Sequence, residues 1–391
     1  MKKRLAWALA ILAILLLLAE LGLRLALPNP NLQVGGMYTQ EPSGIGLTPG
    51  WAGRVHTHEF DVRIRIGSNG LRDEGPPGKT VVLGDSFAFG CWSEKTWTRV
   101  MGDTLQVPVL PAGIPNSGTA DELHFLQAHL AEWSPRRVVL AFFCGNDFSD
   151  NLCTWQAYRI EHGYLFMKDT WRDALWSSDA LTPGPDAIPL APFQPADRLM
   201  SPISPSWDGL SSLLSFLHPT YLYQTAAALS MARRYRNVHV HIFDPAAWLL
   251  RRYSPVMATA VRQTWQYLDA LKQACGPVPL AVVVIPSAPQ LYADDRQAWE
   301  KRVGLSESDL DVHRPDTFVM AWARDRKVPA LNLFDALQGS TRLYYRRDMH
   351  WNEAGHRAAG LATARFIRDE LSASPPPAIP GPATPIDRTR P

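Results

Sequence analysis

Short apolar runs, each stopped by a turn residue, recur along most of this chain. They are Thr80–Leu83, Val107–Leu110, Arg137–Phe143, Leu280–Ile285 and Leu331–Phe334, rich in Val, Leu, Ile and Phe. A continuous apolar run bounded by Gly, Pro or Asn is how a strand buried on both faces reads. Between the runs, apolar positions fall at helical spacing. Thr96–Leu105 is one such stretch. A second starts at Thr119, where Glu122 completes a capping box and Leu123, Leu126, Leu130 and Trp133 form the buried stripe. Ser254 and Pro255 open a third helix as N-cap and first position, and Gly276-Pro277 close it. Asp316–Arg326 is a fourth, and Asn352 caps a fifth that runs to about Leu371. Strands alternating with helices predict an α/β fold, with a parallel sheet as the middle of three layers and right-handed crossovers.

Four stretches break this rhythm. Leu5 to Ala19 is fifteen residues without a polar side chain, preceded by Lys2, Lys3 and Arg4 and followed by Glu20 and Arg24. Positive charges ahead of an apolar run direct export of the chain beyond it. Residues 1–28 are therefore either a transmembrane anchor or a signal peptide. Leu5–Leu27 reaches spanning length when Glu20 and Arg24 pair one turn apart, and the lack of an Ala-x-Ala cleavage site favours the anchor. Residues 29–78 predict a stalk and an edge hairpin: a Gly-, Pro- and Thr-rich stalk or covering loop, then Phe60, Val62, Ile64 and Ile66 alternating with Asp61, Arg63 and Arg65, turned back by Ser68-Asn69-Gly70. The main body runs over 79–371 with an insertion at 148–253, which holds Trp155, Tyr158, Tyr164, Trp171, Trp176 and Trp207 among prolines and a helical stretch near Tyr221–Arg234. The insertion leaves the same sheet edge as Ser86 and is placed to roof it. Residues 372–391 are a Pro-rich tail that cannot bury a core.

Charge changes the picture only by exclusion. Thirty-nine Lys and Arg balance 37 Asp and Glu in 391 residues, with no basic stripe, so nucleic acid is not a partner. The cysteines Cys91, Cys144, Cys153 and Cys275 show no metal-type pairing. One bridge among the first three and four buried free thiols are equally open. His124 and His129, five apart, read as surface histidines, and His356 as structural. No metal and no cofactor is expected.

The candidate chemistry gathers at the strand ends. Gly84-Asp85-Ser86 follows the first strand, Pro111 to Gly118 with Asn116 the second, and Cys144-Gly145-Asn146-Asp147 the third. Asp348-Met349-His350 stands just before the last helix. The carboxyl edge of an open α/β sheet is where ligands collect. A serine hydroxyl needs a base near pH 7, imidazole supplies one, and a carboxylate fixes the imidazole tautomer. Asp348 reaches the ring of His350 across a tight turn. Gly-Asp-Ser alone is an ordinary turn sequence; the blocks together, in order, are specific.

With these blocks in place the chain resembles the SGNH (GDSL-type) hydrolase family, in its membrane-anchored bacterial cell-envelope form. The resemblance spans roughly Thr80–Leu371 and leaves the insertion unmatched. It implies a flavodoxin-like fold with strand order 2-1-3-4-5 and ester hydrolysis through an acyl-serine. By it Ser86, Asp348 and His350 are catalytic, and Ser86, Asn116 and Asn146 form the oxyanion hole. Two departures stand out: Phe87 replaces the usual Leu, and Asn116 stands where the family has glycine, so that Gly113 or Gly118 can also supply that N–H. The implied substrate is an acylated carbohydrate or other ester, with the body on the periplasmic side of a bacterial inner membrane. An O-acyltransferase with the same triad and a non-catalytic envelope assembly module remain alternatives. The insertion's tryptophans either pack on sugar rings or form its own core.

Overall fold

The computed structural model describes residues 2–26, 35–57, 59–72, 78–161, 163–181, 220–234, 236, 238–339 and 341–373. The Pro-rich tail beyond Ala373, and Trp207 with the middle of the insertion, lie outside the described residues.

The chain opens with α1 (Lys2–Ala26), 25 residues long and apolar enough to cross a membrane. Two antiparallel pairs come next, β1 (Tyr38–Glu41) with β2 (Gly44–Leu47) and β3 (Ala52–His56) with β4 (Asp61–Arg65). The sheet then starts with β5 (Thr80–Gly84), continued by α2 (Ser86–Phe89), α3 (Trp97–Leu105), β6 (Val109–Gly113), α4 (Thr119–Trp133), β7 (Arg137–Phe143) and α5 (Asp147–Asp150). The insertion contributes the antiparallel pair β8 (Tyr158–Glu161) and β9 (Tyr164–Met167), then α6 (Asp169–Trp176) and α7 (Tyr221–Arg234). The body resumes with α8 (Pro255–Cys275), β10 (Leu280–Ile285), α9 (Arg314–Asp325), β11 (Ala330–Asn332) and α10 (Glu353–Ala373).

Five strands form one parallel sheet in the order β6-β5-β7-β10-β11. Counted along the sheet's own strands, that is 2-1-3-4-5. Both faces are apolar, which is why the runs read as continuous. Val81, Leu83, Val138, Leu140, Val282 and Val284 pack on one side with α4, α8 and α9. Val82, Val139, Ala141, Val283 and Ile285 pack on the other with α3 and α10. Each buried Val, Leu or Ile among them stabilises the fold by roughly 1.5–3 kcal/mol, so a charged substitution at fully buried Val82 would break it.

Several local expectations shift. β6 begins two residues later than its apolar run and passes through Pro111, which an edge strand tolerates because one row of its N–H groups is unpaired. α4 is capped by Gly118, so the third helical residue is Asp121, whose carboxylate accepts Gly118 N–H. Glu122, expected to cap, instead turns into the buried interior. Residues 35–57 are not a stalk. Tyr38, Ile45, Leu47 and Val55 are buried, and β3 supplies the partner for β4 from the N-terminal side. The Ser68–Gly70 turn yields only an Ile66–Arg72 bridge. All four cysteines are free and buried. His124 is buried rather than on the surface, and burial pulls it down to about 4. At the N-terminal end of the chain, Glu20 of α1 pairs with Arg24 and accepts the N–H groups of Tyr221 and Leu222 at 3.0 and 2.9 Å, capping α7.

Candidate active site

β5 ends where a side chain would not fit. Gly84 has φ +149°, and a Cβ there would lie 2.8 Å from the Ala141 carbonyl and 2.7 Å from Ala88 Cβ. The chain turns at once into α2, whose N-cap is Asp85; its Oδ1 accepts Phe87 N–H at 2.8 Å. Ser86 is the first helical residue, so its own N–H has no intrahelical partner. Its Oγ stands 3.2 Å from Asp85 Oδ2 and 2.8 Å from His350 Nε2.

His350 and Asp348 meet because Met349 takes a left-handed conformation, φ +68°. That turn brings Asp348 Oδ1 to 2.7 Å from His350 Nδ1. The other oxygen, Oδ2, accepts the indole N–H of Trp92 at 3.0 Å. Backbone holds the loop as well: Glu59 accepts N–H groups of Arg346, Arg347 and Asp348 at 2.7 to 3.1 Å. Burial works against a charged His350, but the Asp348 charge and hydrogen bond, with Asp85 behind them, outweigh it and raise its pKa. Phe87, in the position where leucine was expected, packs at 5.0 Å from the His350 ring. Such an arrangement can take the serine proton onto Nε2 while Nδ1–H stays on carboxylate.

The amide residues are placed differently from one another. Asn116 has φ +64°, and its backbone N–H bonds none of the described residues. Its side chain donates to the Tyr38 hydroxyl at 3.1 Å. The neighbouring loop is stitched to β5, with Ile114 N–H and Ser117 Oγ on the Gly84 carbonyl. Gly113 is packed against α2, where a Cβ would fall 2.1 Å from Phe89 N, and Gly118 caps α4. Asn146 also faces the cleft, but its Nδ2 donates to Asp150 at 2.8 Å, and Asp85 is within its reach. Behind this wall Asp121, Glu122, Asp147 and Asp150 are buried carboxyls, Asp121 pushed up to about 8 by burial.

The cleft holds about 470 Å³, and Tyr38, Ser86, Trp92, Asn116, Asn146 and His350 all line it. Of the described insertion residues only Pro245 takes part; Met37 and Tyr38 from the N-terminal arm stand where the insertion was expected. Trp155 is buried, and Trp176 packs on His241 and Phe243. His356 is buried between Trp97 N–H and the Cys91 carbonyl, which is a structural placement. Sequence reasoning did not find Tyr38, Glu59, Trp92 or Arg72. Arg72 is buried on the carbonyls of Phe89, Gly90 and Ser93 and so holds the loop that carries Trp92. Only Trp92 had a local signal, its closeness to Ser86.

The doubly covered sheet with polar residues at its carboxyl edge defines a three-layer α/β protein of the flavodoxin-type strand order. Residues 250–382 match the family model described as an SGNH hydrolase-like domain, acetyltransferase AlgX. Over that stretch the chain is similar to the SGNH hydrolase family. Curated protein sequences give no match. Among solved structures, a lipase/acylhydrolase from Enterococcus faecalis is 13% identical over 74% of this chain and 96% of its own, with a TM-score of 0.37. A GDSL-like lipase from Bacteroides thetaiotaomicron is 10% identical over 75% and 88%, with a TM-score of 0.35. The inhibitor-bound M. smegmatis aryl esterase is 13% identical over 75% and 99%, with a TM-score of 0.33. Likenesses at that level say nothing of substrate.

Proposed function

We propose that this protein is an exported, membrane-anchored esterase that works through an acyl-serine intermediate. Ser86 is the nucleophile, His350 the general base and Asp348 the carboxylate that orients it. The observation that carries this reading is the unbroken relay of Ser86 Oγ to His350 Nε2 at 2.8 Å and His350 Nδ1 to Asp348 Oδ1 at 2.7 Å. On attack the serine proton passes to Nε2, then to the leaving alkoxide, and water reverses the sequence to release the acid. Backbone N–H groups of Ser86 and Asn116 meet the oxyanion, with the Asn146 amide beside them.

The substrate is an ester, chiefly an O-acetyl group, on a cell-envelope or extracellular carbohydrate. The aromatic side chains Trp92 and Tyr38 among the cleft lining support a sugar, and α1 behind Lys2-Lys3-Arg4 supports an inner-membrane anchor with the body outside the cytoplasm. Detergent-solubilised full chain should hydrolyse p-nitrophenyl acetate, and Ser86→Ala should lose that activity. Wild-type rates in Ser86→Ala would overturn the reading. Transfer of the acyl group to a carbohydrate hydroxyl is the second reading, favoured by the acetyltransferase in the matched family's description. An acetyl donor offered with a glycan, and the product weighed, separates the two.

A further inference from the structure

We infer that Tyr38, from the segment ahead of the sheet, is a further catalytic residue: its phenol donates a hydrogen bond to the substrate oxygen that becomes the oxyanion. The inference rests on the acyl-serine reading and adds to it a donor that the Ser86, Asn116 and Asn146 set does not contain.

Tyr38 and Ser86 line one cleft, and Tyr38 is 4% exposed. Its backbone is fixed by pairing with Leu47 and by an N–H bond to the Gly163 carbonyl at 3.1 Å. The hydroxyl oxygen accepts from Asn116 Nδ2 at 3.1 Å. In that bond the amide is the donor, so the phenol keeps its own hydrogen. Burial, with a smaller contribution from Cys91, raises the phenol pKa far beyond its ordinary value, so the group stays neutral and can donate.

Asn116 explains the location. The loop it belongs to is bonded to the Gly84 carbonyl, two residues before Ser86, by Ile114 N–H at 3.0 Å and Ser117 Oγ at 3.3 Å. Asn116 lines the cleft in a left-handed conformation, its backbone N–H bonding none of the described residues, while its side chain runs to Tyr38. A glycine here would leave the phenol unfastened. Asn116 and Tyr38 therefore act as a pair, one holding the other at the oxyanion corner. Another neutral donor is of use because Asn146 already gives its side-chain N–H groups to carboxylates, Nδ2 donating to Asp150 at 2.8 Å with a further hydrogen bond to Asp85.

The test uses full chain in detergent and p-nitrophenyl acetate. A donor realised only in the transition state lowers kcat and leaves KM alone. Tyr38→Phe should therefore cut kcat about 100-fold with KM unchanged and the melting curve preserved. Wild-type kcat, or a change in KM alone, overturns the inference, as does a loss seen in Asn116→Gly but not in Tyr38→Phe. On unmutated protein, a phosphonate adduct at Ser86 should bring out a downfield phenol proton that Tyr38→Phe lacks; its absence overturns the inference without any appeal to the variant's folding. Should wild type show no activity that Ser86→Ala removes, the acyl-serine reading fails instead, and the two failures are distinct.

Discussion

The indole N–H of Trp92 donates to Oδ2 of Asp348 at 3.0 Å while Oδ1 of the same carboxylate holds His350. The carboxylate is thus shared between a base and a neutral donor 256 residues away in sequence. Trp92→Phe removes the donor but keeps an aromatic ring stacked on Phe60. One hydrogen bond to a charged group is worth about 1.5 kcal/mol, so kcat/KM should fall roughly tenfold. Freed of that bond, Asp348 holds an imidazolium more strongly. The acid limb of the pH–rate profile should therefore move to higher pH, a shift that simple loss of packing does not produce.

Glu59 grips three consecutive N–H groups, those of Arg346, Arg347 and Asp348. Glu59→Gln keeps the shape but halves the acceptors. Stability should drop by about 1 kcal/mol, read from a denaturant titration, because the site is partly exposed. Activity should drop further than that, since the loop sets the Asp348–His350 geometry.

The pKa of His350 is raised, and the base must be neutral to act. Activity should rise with pH through a midpoint above the ordinary histidine value of about 6.5. Asp348→Asn takes away the charge that outweighs burial, so its residual activity should show a midpoint lower than that of wild type. The stability linkage has the opposite sense: a raised histidine pKa stabilises the fold fully below about 6.5, and that contribution fades as pH climbs through the folded value.

Glu122 is buried, and burial, then the neighbouring carboxyls Asp85, Asp121 and Asp150, push its pKa well up against a weaker hydrogen bond from Ser117. The folded state therefore keeps a proton that the unfolded chain releases above about pH 4. Stability from this group falls as pH rises from there toward the folded value. Glu122→Gln mimics the protonated acid, so its melting temperature should match wild type near pH 5 and exceed it at pH 8. Equal melting temperatures at both pH values would contradict the burial argument.

The features legible in the sequence were short-range. Gly84-Asp85-Ser86 and Asp348-Met349-His350 are local blocks, and β5, β7 and β10 are apolar on both faces, so a parallel sheet and the site edge could be read from pattern, whereas the strand order came from the family resemblance. Tyr38, Glu59 and Trp92 were hidden because each acts through a tertiary contact, in two cases from the arm ahead of the sheet. Gly-, Pro- and Thr-rich composition masked the alternation of Ile45, Leu47 and Val55 there. The Asp121–Glu122 exchange came from a helix start one residue earlier than Thr119 implied. A single step on a helix turns a capping carboxylate into a buried one.

Acylation of Ser86 is the central step of the proposed mechanism. Wild-type protein mixed with p-nitrophenyl acetate, quenched in acid within the burst and digested, should carry one acetyl group on the peptide containing Gly84–Gly90. That mass should be missing in Ser86→Ala and should accumulate when deacylation is slowed. An acetyl group on another residue, or a burst undiminished in Ser86→Ala, would contradict the account.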